Sequence, residues 1–389
     1  MKKKKICIIG GAGHVGFPLG LMIASKGNKV FLHDIDDESC HLINKNISPY
    51  YEINSGKFLK KYKKNLIAGN DDRFIIKSDI IIICIGTPVK KDATPDLKKF
   101  FSLILKLKKI INKNQLIIIR SSVYPGTIKR IKNIFKNKNN KISYCPERIL
   151  QGSALVELNN LPQIISGIND TSIKESASFF KTFVKEIIIS SIIEAELIKL
   201  FSNAWRYINF AASNQFYSIC QKFEIDFNEL RKKMMKNYSR NQGLPLAGFA
   251  AGPCLVKDTM QLVNLTNNTF TMGQASLKIN ENFPNFLIKE LSKKFNLKKK
   301  KIGVLGLAFK SDVDDTRDSL SIKLIKILEK KKINFFISDD YAQYPNKISK
   351  ELLIKKSDII ILATPHKSYN KLSIPKNKTI IDTWGILKK

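Results

Sequence analysis

One cysteine lies in a sequence context that could do chemistry. Cys254 follows a run of small residues in GFAAGPCLVKDT (residues 248–259), with Lys257 three residues and Asp258 four residues further on. A cysteine thiolate is a strong nucleophile and can form covalent intermediates with carbonyl compounds. A free cysteine is also commonly a small packed apolar residue. This segment alone therefore leaves both interpretations open.

A glycine-rich segment near the start has the spacing of a dinucleotide-binding loop. Gly11, Gly13 and Gly16 form G-x-G-x-x-G directly after the apolar run ICIIG and directly before a helical pattern. The first glycine permits a tight turn, and the second lets backbone N–H groups approach a pyrophosphate. The third allows close contact between helix and strand. A purely structural glycine turn is the alternative.

An acidic residue after the next apolar run favours the dinucleotide interpretation. Asp34 follows Gly16 by eighteen residues. A carboxylate there can bind both ribose hydroxyls and would repel a 2′-phosphate, and no arginine follows closely. We therefore expect NAD rather than NADP, bound by Asp34 and by the loop residues Gly11, Gly13, His14, Val15 and Gly16.

The elements that must position these residues alternate in the first part of the chain. The runs KICIIG, KVFLHD, SDIIIICIG and QLIIIRSS each predict a strand buried on both faces, with helical patterns between them. This alternation predicts an α/β fold with a Rossmann-type doubly wound parallel sheet.

The pattern changes in the middle of the chain and returns near the end. From about Glu194 a long amphipathic stretch without Pro or Gly predicts one long helix, which opens a helical segment. Strand–helix alternation resumes in KKIGVLGLAFK, NFFISD, SDIIILATP and KTIIDTWG. We expect an NAD-binding domain (1–190), a central helical segment for dimerisation and catalysis (191–297) and a smaller Rossmann-like α/β domain (298–389).

Composition limits the other possibilities. The 389 residues are 43% apolar, which suits two or three globular domains. No apolar run approaches the roughly 18 residues of a membrane span, and the apolar run after MKKKK is too short for a secretory signal. The six cysteines and four histidines are scattered without metal-ligand spacing. We expect a cytoplasmic protein without a metal site or membrane insertion.

The formal net charge of +34 raises the question of nucleic-acid binding. The lysines are spread along the whole chain, together with a general excess of Ile and Asn, and the basic runs lack interleaved aromatic residues. We expect no nucleic-acid partner. Attraction for phosphate-bearing small molecules remains compatible with this charge.

Several further segments, in order along the chain, resemble the UDP-glucose/GDP-mannose dehydrogenase family. They are GAGHVG with Asp34, CIGTP (84–88), RSSVYPGT (120–127), CPER (145–148), EAELIKLFSNAWR (194–206), GFAAGPCLVKDT, GLAFKSDVDDTRDS (306–319) and DTWG near the end. The resemblance implies NAD-dependent oxidation of a nucleotide sugar at C6 to a uronate, used for surface polysaccharide. It also implies a homodimer.

The implied chemistry assigns Cys254 a role. Oxidation of a primary alcohol to a carboxylate removes four electrons, and a thiolate can hold the intermediate aldehyde as a thiohemiacetal and then as a thioester. The pattern after Pro253 is helical, so the thiolate would gain stability at a helix N-terminus. Asp258, one turn later, could orient water or accept a proton.

The resemblance implies roles for other residues as well. Lys199 and Asn203 would lie on either side of the oxidised carbon, with the ammonium countering the developing oxyanion. Glu147 matches the proposed general base for thioester hydrolysis, and the hydroxyl of Ser122 would bind a water. The remaining implied contacts are with the cofactor (Thr87 and Pro88), with the nucleotide-sugar substrate (Lys310 and Arg317), and across a dimer interface (Arg240), where a solvated loop arginine is the alternative. Lys257 is either a substrate-binding residue or a surface cation.

Two departures leave the sugar open. UDP-glucose enzymes usually carry a second glutamate where this chain has Gln151, and the cysteine loop reads AAGPC rather than G-G-x-C. A UDP-hexose, a UDP-N-acetylhexosamine or another nucleotide sugar is compatible, with CPER favouring the N-acetylhexosamine branch. The alternatives are a two-electron β-hydroxyacid or 6-phosphogluconate-type dehydrogenase, which needs no Cys254, and a non-catalytic binding protein.

Overall fold

The computed structural model of the protein describes residues 3–90, 94–136, 140–250 and 252–387. The chain forms two compact units, Met1–Phe201 and Ser202–Lys389. Each unit is built around its own sheet.

Within the described residues, the first unit contains an eight-stranded sheet. Its strands are β1 (Lys5–Ile9), β2 (Lys29–His33), β3 (Leu66–Gly69), β4 (Ile80–Ile83), β5 (Leu116–Ile119), β6 (Lys141–Tyr144), β7 (Gln163–Gly167) and β8 (Ile187–Ile189). The strand order is β3-β2-β1-β4-β5-β6-β7-β8. Neighbouring strands pair in parallel, except that β7 runs antiparallel to β6.

Helices cover both faces of this sheet. They are α1 (Gly16–Ser25), α2 (Asp37–Asn44), α3 (Ser55–Tyr62), α4 (Arg73–Ile76), α5 (Lys98–Ile110), α6 (Thr127–Ile134), α7 (Ala154–Asn160) and α8 (Asp170–Phe180), with a 3-10 turn at Lys63–Asn65. Successive residues of β1 belong to different cores: Ile6 and Ile8 pack on one face, Cys7 and Ile9 on the other. The strand is therefore apolar at every position, as the sequence indicates.

The second unit begins inside one long helix. Its helices are α9 (Ile192–Lys222, which starts in the first unit), α10 (Phe227–Met235), α11 (Pro253–Leu265), α12 (Thr271–Lys294), α13 (Leu320–Lys330) and α14 (Lys350–Lys356). Its strands are β9 (Ile302–Leu305), β10 (Phe335–Ser338), β11 (Ile359–Leu362) and β12 (Thr379–Ile381), with 3-10 turns at Ser239–Asn241, Leu297–Lys299 and Lys367–Tyr369. The sheet is parallel, in the order β10-β9-β11-β12.

The architecture confirms the predicted fold class. A Rossmann-type sheet is followed by helices α9 to α12 and by a smaller α/β sheet, and the predicted long helix begins at Ile192. Among the described residues, no helix combines the length and the apolar character that crossing a membrane requires. The division into three domains at residues 190 and 297 stays a prediction.

Candidate active site

The glycines of the fingerprint loop fall into two structural classes. A Cβ on Gly11 would lie 2.6 Å from the Cα of Leu32 on β2, and one on Gly16 would lie 2.1 Å from the carbonyl oxygen of Gly10. These two positions admit only hydrogen because strand and helix approach so closely. A Cβ on Gly13 would meet only that same oxygen, at 3.5 Å. Gly13 therefore leaves space above the loop, where a pyrophosphate of NAD fits.

Asp34 lies at the carboxyl end of β2 and faces the same loop. Its Oδ2 accepts a hydrogen bond of 2.9 Å from the backbone N–H of Ala12, and its Oδ1 accepts one of 3.2 Å from Asp36. These contacts fix the carboxylate beside the glycine loop, where it could bind the ribose diol of NAD. The next residue, Ile35, has an apolar side chain that is 82% exposed, and sequence reasoning did not single it out.

His14 of the loop is held by two residues from other segments. Its ring centroid lies 3.9 Å from that of Tyr50, whose hydroxyl donates a 2.7 Å hydrogen bond to the carbonyl of Gly13. In the second contact, Nδ1 of His14 lies 3.2 Å from Nε2 of Gln151. Gln151, noted in the sequence as a departure from UDP-glucose enzymes, thus contacts the cofactor loop. Val15 occupies the N-cap position of α1.

A hydrogen bond from a side chain joins the segment after β4 to the segment after β5. The hydroxyl of Thr87 donates a hydrogen bond to the backbone carbonyl of Ser122, and Thr87 is buried while Ser122 is half-buried. Pro88, the next residue, is exposed. Since both segments follow the carboxyl ends of parallel strands, they lie on the edge of the sheet where such folds bind ligands.

Glu147 is engaged on both of its carboxylate oxygens. Oε1 accepts hydrogen bonds from the backbone N–H groups of Arg148 (2.8 Å) and Ile149 (3.0 Å), and Oε2 pairs with the guanidinium of Arg120. Arg120 is buried, and it also donates a 2.8 Å bond to Gln163. Burial lowers the pKa of Arg120. Glu147 is therefore a fixed, paired anion, and sequence reasoning missed its partner although RSSVYPGT contains it.

Helix α9 carries Lys199 and Asn203 four residues apart, in the first and the second unit respectively. The same helix contributes a buried glutamate that sequence reasoning missed. Glu196 accepts hydrogen bonds from the backbone N–H groups of Gly126 (2.7 Å) and Ile128 (2.9 Å), at the start of α6. Burial raises the pKa of Glu196, and these two bonds oppose that shift. The carboxylate therefore caps α6 and fixes the RSSVYPGT segment.

Cys254 occupies the first turn of α11. The helix begins at Pro253 after Gly252, whose φ of +107° favours glycine, and no side chain among the described residues caps it. All six cysteines lie in the described residues, and Cys254 is exposed whereas the others are buried or half-buried. This exposure favours the nucleophile interpretation of Cys254 over the packed one. The thiol is therefore accessible at the uncapped N-terminus of a helix.

Asp258 lies one turn after Cys254 and is fully buried. Its Oδ2 accepts a 2.6 Å hydrogen bond from Nδ2 of Asn203, and its Oδ1 lies 3.7 Å from Nζ of Lys257. Within the described part of the chain, no hydrogen-bond donor reaches Oδ1. The structure therefore brings together an exposed thiol, a buried carboxylate, an amide and an ammonium in the second unit.

The remaining predicted residues of the second unit differ in their surroundings. Arg317 forms a bidentate pair with Asp315, with Nε 2.9 Å from Oδ1 and Nη2 2.5 Å from Oδ2. This pairing, ahead of a weaker attraction to Cys254, raises the pKa of Arg317. Lys310 is half-buried. Arg240 is exposed in a 3-10 turn, 5.6 Å from the ring centroid of Tyr238.

Comparisons with known proteins identify the family of the chain. Models of the UDP-glucose/GDP-mannose dehydrogenase family match the NAD-binding domain at residues 4–184, the central domain at 193–282 and the UDP-binding domain at 303–389. A UDP-N-acetyl-D-mannosamine dehydrogenase from Methanococcus vannielii is 33% identical, over 99% of this chain and 94% of the relative. A UDP-glucose 6-dehydrogenase from Rickettsia typhi is 29% identical, over 97% of this chain and 94% of the relative.

The fold agrees with a solved structure over almost its full length. A UDP-D-ManNAc dehydrogenase from Pyrococcus horikoshii superposes with a TM-score of 0.89 at 27% identity, covering 99% of this chain and 96% of that one. The fingerprint loop, the nucleotide-binding C-terminal domain and the relatives together indicate an NAD-dependent nucleotide-sugar dehydrogenase. The chain belongs to the UDP-glucose/GDP-mannose dehydrogenase family.

Proposed function

We propose that the protein oxidises the C6 hydroxymethyl group of a UDP-N-acetylhexosamine, of the N-acetylmannosamine type, to the carboxylate, with Cys254 as the covalent nucleophile. One observation carries this proposal: the exposed thiol lies at the uncapped N-terminus of α11, one turn before the buried Asp258. A two-electron dehydrogenase or a binding protein would have no use for this pair.

The reaction requires two oxidations at one carbon. When bound, NAD accepts two electrons as a hydride at each oxidation. The thiolate of Cys254 adds to the aldehyde that the first oxidation leaves, which gives a thiohemiacetal. Loss of the second hydride from that carbon gives a thioester, and water cleaves the C–S bond to release the carboxylate and the thiol. The aldehyde stays bound throughout.

In this proposal, other predicted side chains stabilise charge and transfer protons. Asp258 is available to accept a proton through Oδ1, because Asn203 occupies only Oδ2. Lys199 counters the oxyanion that develops at the reacting carbon. Glu147, paired with Arg120, is the general base for the hydrolytic water, which the hydroxyl of Ser122 binds. The predicted roles of these residues remain part of the proposal.

Two observations favour the N-acetylhexosamine over glucose. The relative at 33% identity is a UDP-N-acetyl-D-mannosamine dehydrogenase. The second glutamate of UDP-glucose enzymes is replaced by Gln151, whose side chain contacts His14 of the cofactor loop. UDP-glucose is the second candidate because of the Rickettsia relative. In either case Lys257, Lys310 and Arg317 contact the substrate, and the uronate enters surface polysaccharide.

A substrate panel with matched variants tests this function. The purified protein is incubated with NAD and UDP-N-acetylmannosamine, UDP-N-acetylglucosamine, UDP-glucose or GDP-mannose, and NADH and carboxylate are both quantified. We expect two NADH and one carboxylate per sugar, without free aldehyde. Cys254→Ala should abolish carboxylate formation and keep NAD affinity, whereas Cys220→Ala, at a buried cysteine, should remain active. One NADH per substrate, or an active Cys254→Ala variant, contradicts the covalent mechanism.

We also propose that the protein is a homodimer. Trp205, Phe216 and Ile219 of α9 and Phe223, the first residue after it, are separated by eleven, three and four residues, which places them on one side of the helix. All four are exposed, Trp205 by 63% and Phe223 by 70%. An apolar stripe of this kind fits a second copy of the chain, where Arg240 would then complete the partner's site.

Sedimentation tests the assembly. The wild type should sediment as a dimer at micromolar concentration, and Phe216→Glu should shift it to a monomer because a buried unpaired charge opposes association. Glu229→Gln, an exposed change on α10, serves as the control. A fully active wild-type monomer would rule out both the dimer and the role of Arg240.

A further inference from the structure

Two glycines bound the cysteine loop, and each lies against an aromatic ring. A Cβ on Gly248 would be 2.4 Å from the indole of Trp384, and a Cβ on Gly252 would be 2.5 Å from the ring of Phe309. Both rings belong to the C-terminal α/β part of the second unit, in the DTWG and GLAFK segments. The family resemblance assigned neither ring a role.

Gly248 is held on two sides. Its backbone N–H donates a 2.8 Å hydrogen bond to Oδ1 of Asn214, and its carbonyl accepts a 3.1 Å bond from Nδ2 of the same side chain. Asn214 is buried on α9 and is itself tied to Asn280 at 2.9 Å. With the indole of Trp384 packed on the glycine, the start of the loop has little freedom to move.

Trp384 is fixed in its own turn. Its indole N–H donates a 3.1 Å hydrogen bond to the carbonyl of Ala363, directly after β11. Asp382 accepts backbone hydrogen bonds from Trp384 (3.0 Å), Gly385 (2.8 Å) and Leu387 (2.8 Å), which closes the DTWG turn. The indole therefore presents a rigid surface to the glycine.

The ring of Phe309 packs on Gly252, which lies two residues before Cys254. The backbone N–H of Phe309 donates a 3.0 Å hydrogen bond to the carbonyl of Asp315, which holds the GLAFK segment in place. Asp315 in turn binds Arg317 through its carboxylate. Phe309 is thus anchored where it packs on Gly252, the residue before α11.

We propose that Trp384 and Phe309 are positioning residues for Cys254. This inference rests on the proposed function, in which that thiol is the nucleophile. Trp384 packs on Gly248, and Phe309 packs on Gly252, the residue before α11. The rings thereby fix where α11 begins and where the thiol lies. Catalytic geometry is sensitive to such placement, since a displacement of about 1 Å can cost about a hundredfold in rate.

Substitution of the rings tests the inference by steady-state kinetics. Trp384→Leu and Phe309→Leu should lower kcat by about tenfold or more, while the KM for NAD stays within about twofold because the fingerprint loop is in the other unit. Trp384→Phe should restore much of kcat. The matched control is Phe336→Leu, at a half-buried ring on β10 of the same sheet, which should keep kcat. Losses no larger than that of the control would overturn the inference.

A substrate-free readout separates this inference from the proposed function. The rate of Cys254 alkylation by iodoacetamide, followed by peptide mass spectrometry across a range of pH, should change in both ring variants and not in Phe336→Leu. An unchanged alkylation profile would overturn the positioning role. A Cys254→Ala variant that still forms uronate would instead contradict the proposed function, in which Cys254 is the nucleophile, whatever the alkylation profile shows.

A third measurement does not depend on variants that truncate the rings. The chain has two tryptophans, and Trp205 is exposed on α9, so Trp205→Phe leaves Trp384 as the single indole fluorophore. Alkylation of Cys254 in this protein should change the Trp384 emission, because the indole packs on Gly248 at the start of the segment that leads to the thiol. No change in emission would contradict the coupling.

Discussion

Asn203 and Asp258 are joined by a hydrogen bond of 2.6 Å between Nδ2 and Oδ2, and the carboxylate is fully buried on the helix that begins with Cys254. The amide satisfies one oxygen and leaves the other facing Nζ of Lys257 at 3.7 Å. A buried carboxylate with one oxygen lacking a donor in the described chain is unusual, because such groups normally complete their hydrogen bonds. Substrate or a bound water would complete it.

Replacement of Asp258 by asparagine should remove the proton acceptor and keep the shape. We expect kcat to fall by about a hundredfold or more, because general-base assistance is typically worth that much. Thermal stability should change less, since an amide can keep the bond to Asn203. Steady-state kinetics with a melting curve measures both. Glu229→Gln, at an exposed carboxylate on α10, is the control, and an Asp258→Asn variant with wild-type turnover would contradict the acid–base role.

The buried pair of Arg120 and Glu147 should be a stability element as well as part of the site. Glu147→Ala leaves the guanidinium buried without its partner, which we expect to lower the free energy of unfolding by about 3 to 5 kcal/mol. The double variant Arg120→Met/Glu147→Leu should recover much of this loss, because it leaves no uncompensated charge. Urea denaturation measures both variants. Equal destabilisation of the single and double variants would show that packing, not charge, is responsible.

Much of this fold was predictable because its signals are local. Continuous Ile and Val runs mark strands buried on both faces, and the glycine spacing with Asp34 marks the cofactor loop. An uninterrupted amphipathic pattern predicts the long helix α9. Local signals also placed Cys254 at the start of a helix, because a proline such as Pro253 is common at the first position of a helix.

The contacts that complete the site are not local, and sequence reasoning missed them. Arg120 meets Glu147 because β5 and β6 are neighbours in the sheet, an order that no residue spacing displays. Trp384 reaches Gly248 across more than a hundred residues of chain. The strands β3, β6, β7 and β8 were also missed. The antiparallel pairing of β7 with β6 has no sequence signature.

The C-terminal sheet carries an acid-sensitive group. His366 donates a 3.0 Å hydrogen bond from Nε2 to Asp339, because its Nδ1 accepts one of 2.9 Å from the backbone of Asp312. Burial alone would raise the pKa of Asp339, but the bonds from His366 and from backbone N–H groups lower it to about 2. The carboxylate therefore stabilises the fold in its charged form.

The sign of the pH dependence follows from that depressed pKa. The stabilisation by Asp339 is complete above the unfolded-state pKa of about 4 and is lost as pH falls from there toward 2, by about 2 to 3 kcal/mol. Asp339→Asn should be destabilised at pH 7 and should lose this part of the acid sensitivity. Denaturation at pH 7, 4 and 3 measures it. Asp71→Asn, at an exposed pair with Arg73, is the control, and identical pH slopes for wild type and Asp339→Asn would refute the assignment.

Cofactor choice should depend on the charge of Asp34. Because Ala12 and Asp36 hold its carboxylate beside the glycine loop, a bound NAD can place its ribose diol against it, whereas a 2′-phosphate would meet a fixed negative charge. Asp34→Asn keeps an acceptor for Ala12 and removes the repulsion. We expect the ratio of kcat/KM for NAD over NADP to fall by about tenfold or more, equivalent to about 1.4 kcal/mol.

Asp36→Asn is the matched control for this prediction, because Asp36 lies two residues away and caps α2 through the backbone N–H of Ser39 at 3.1 Å. Its side chain faces that helix, so its charge should matter little for the choice of cofactor. Kinetics with both cofactors, at one ionic strength, compares the variants on equal terms because screening weakens exposed charges. If the wild type uses NADP as efficiently as NAD, or if Asp36→Asn changes the ratio as much as Asp34→Asn, then the carboxylate at the end of β2 does not select the cofactor.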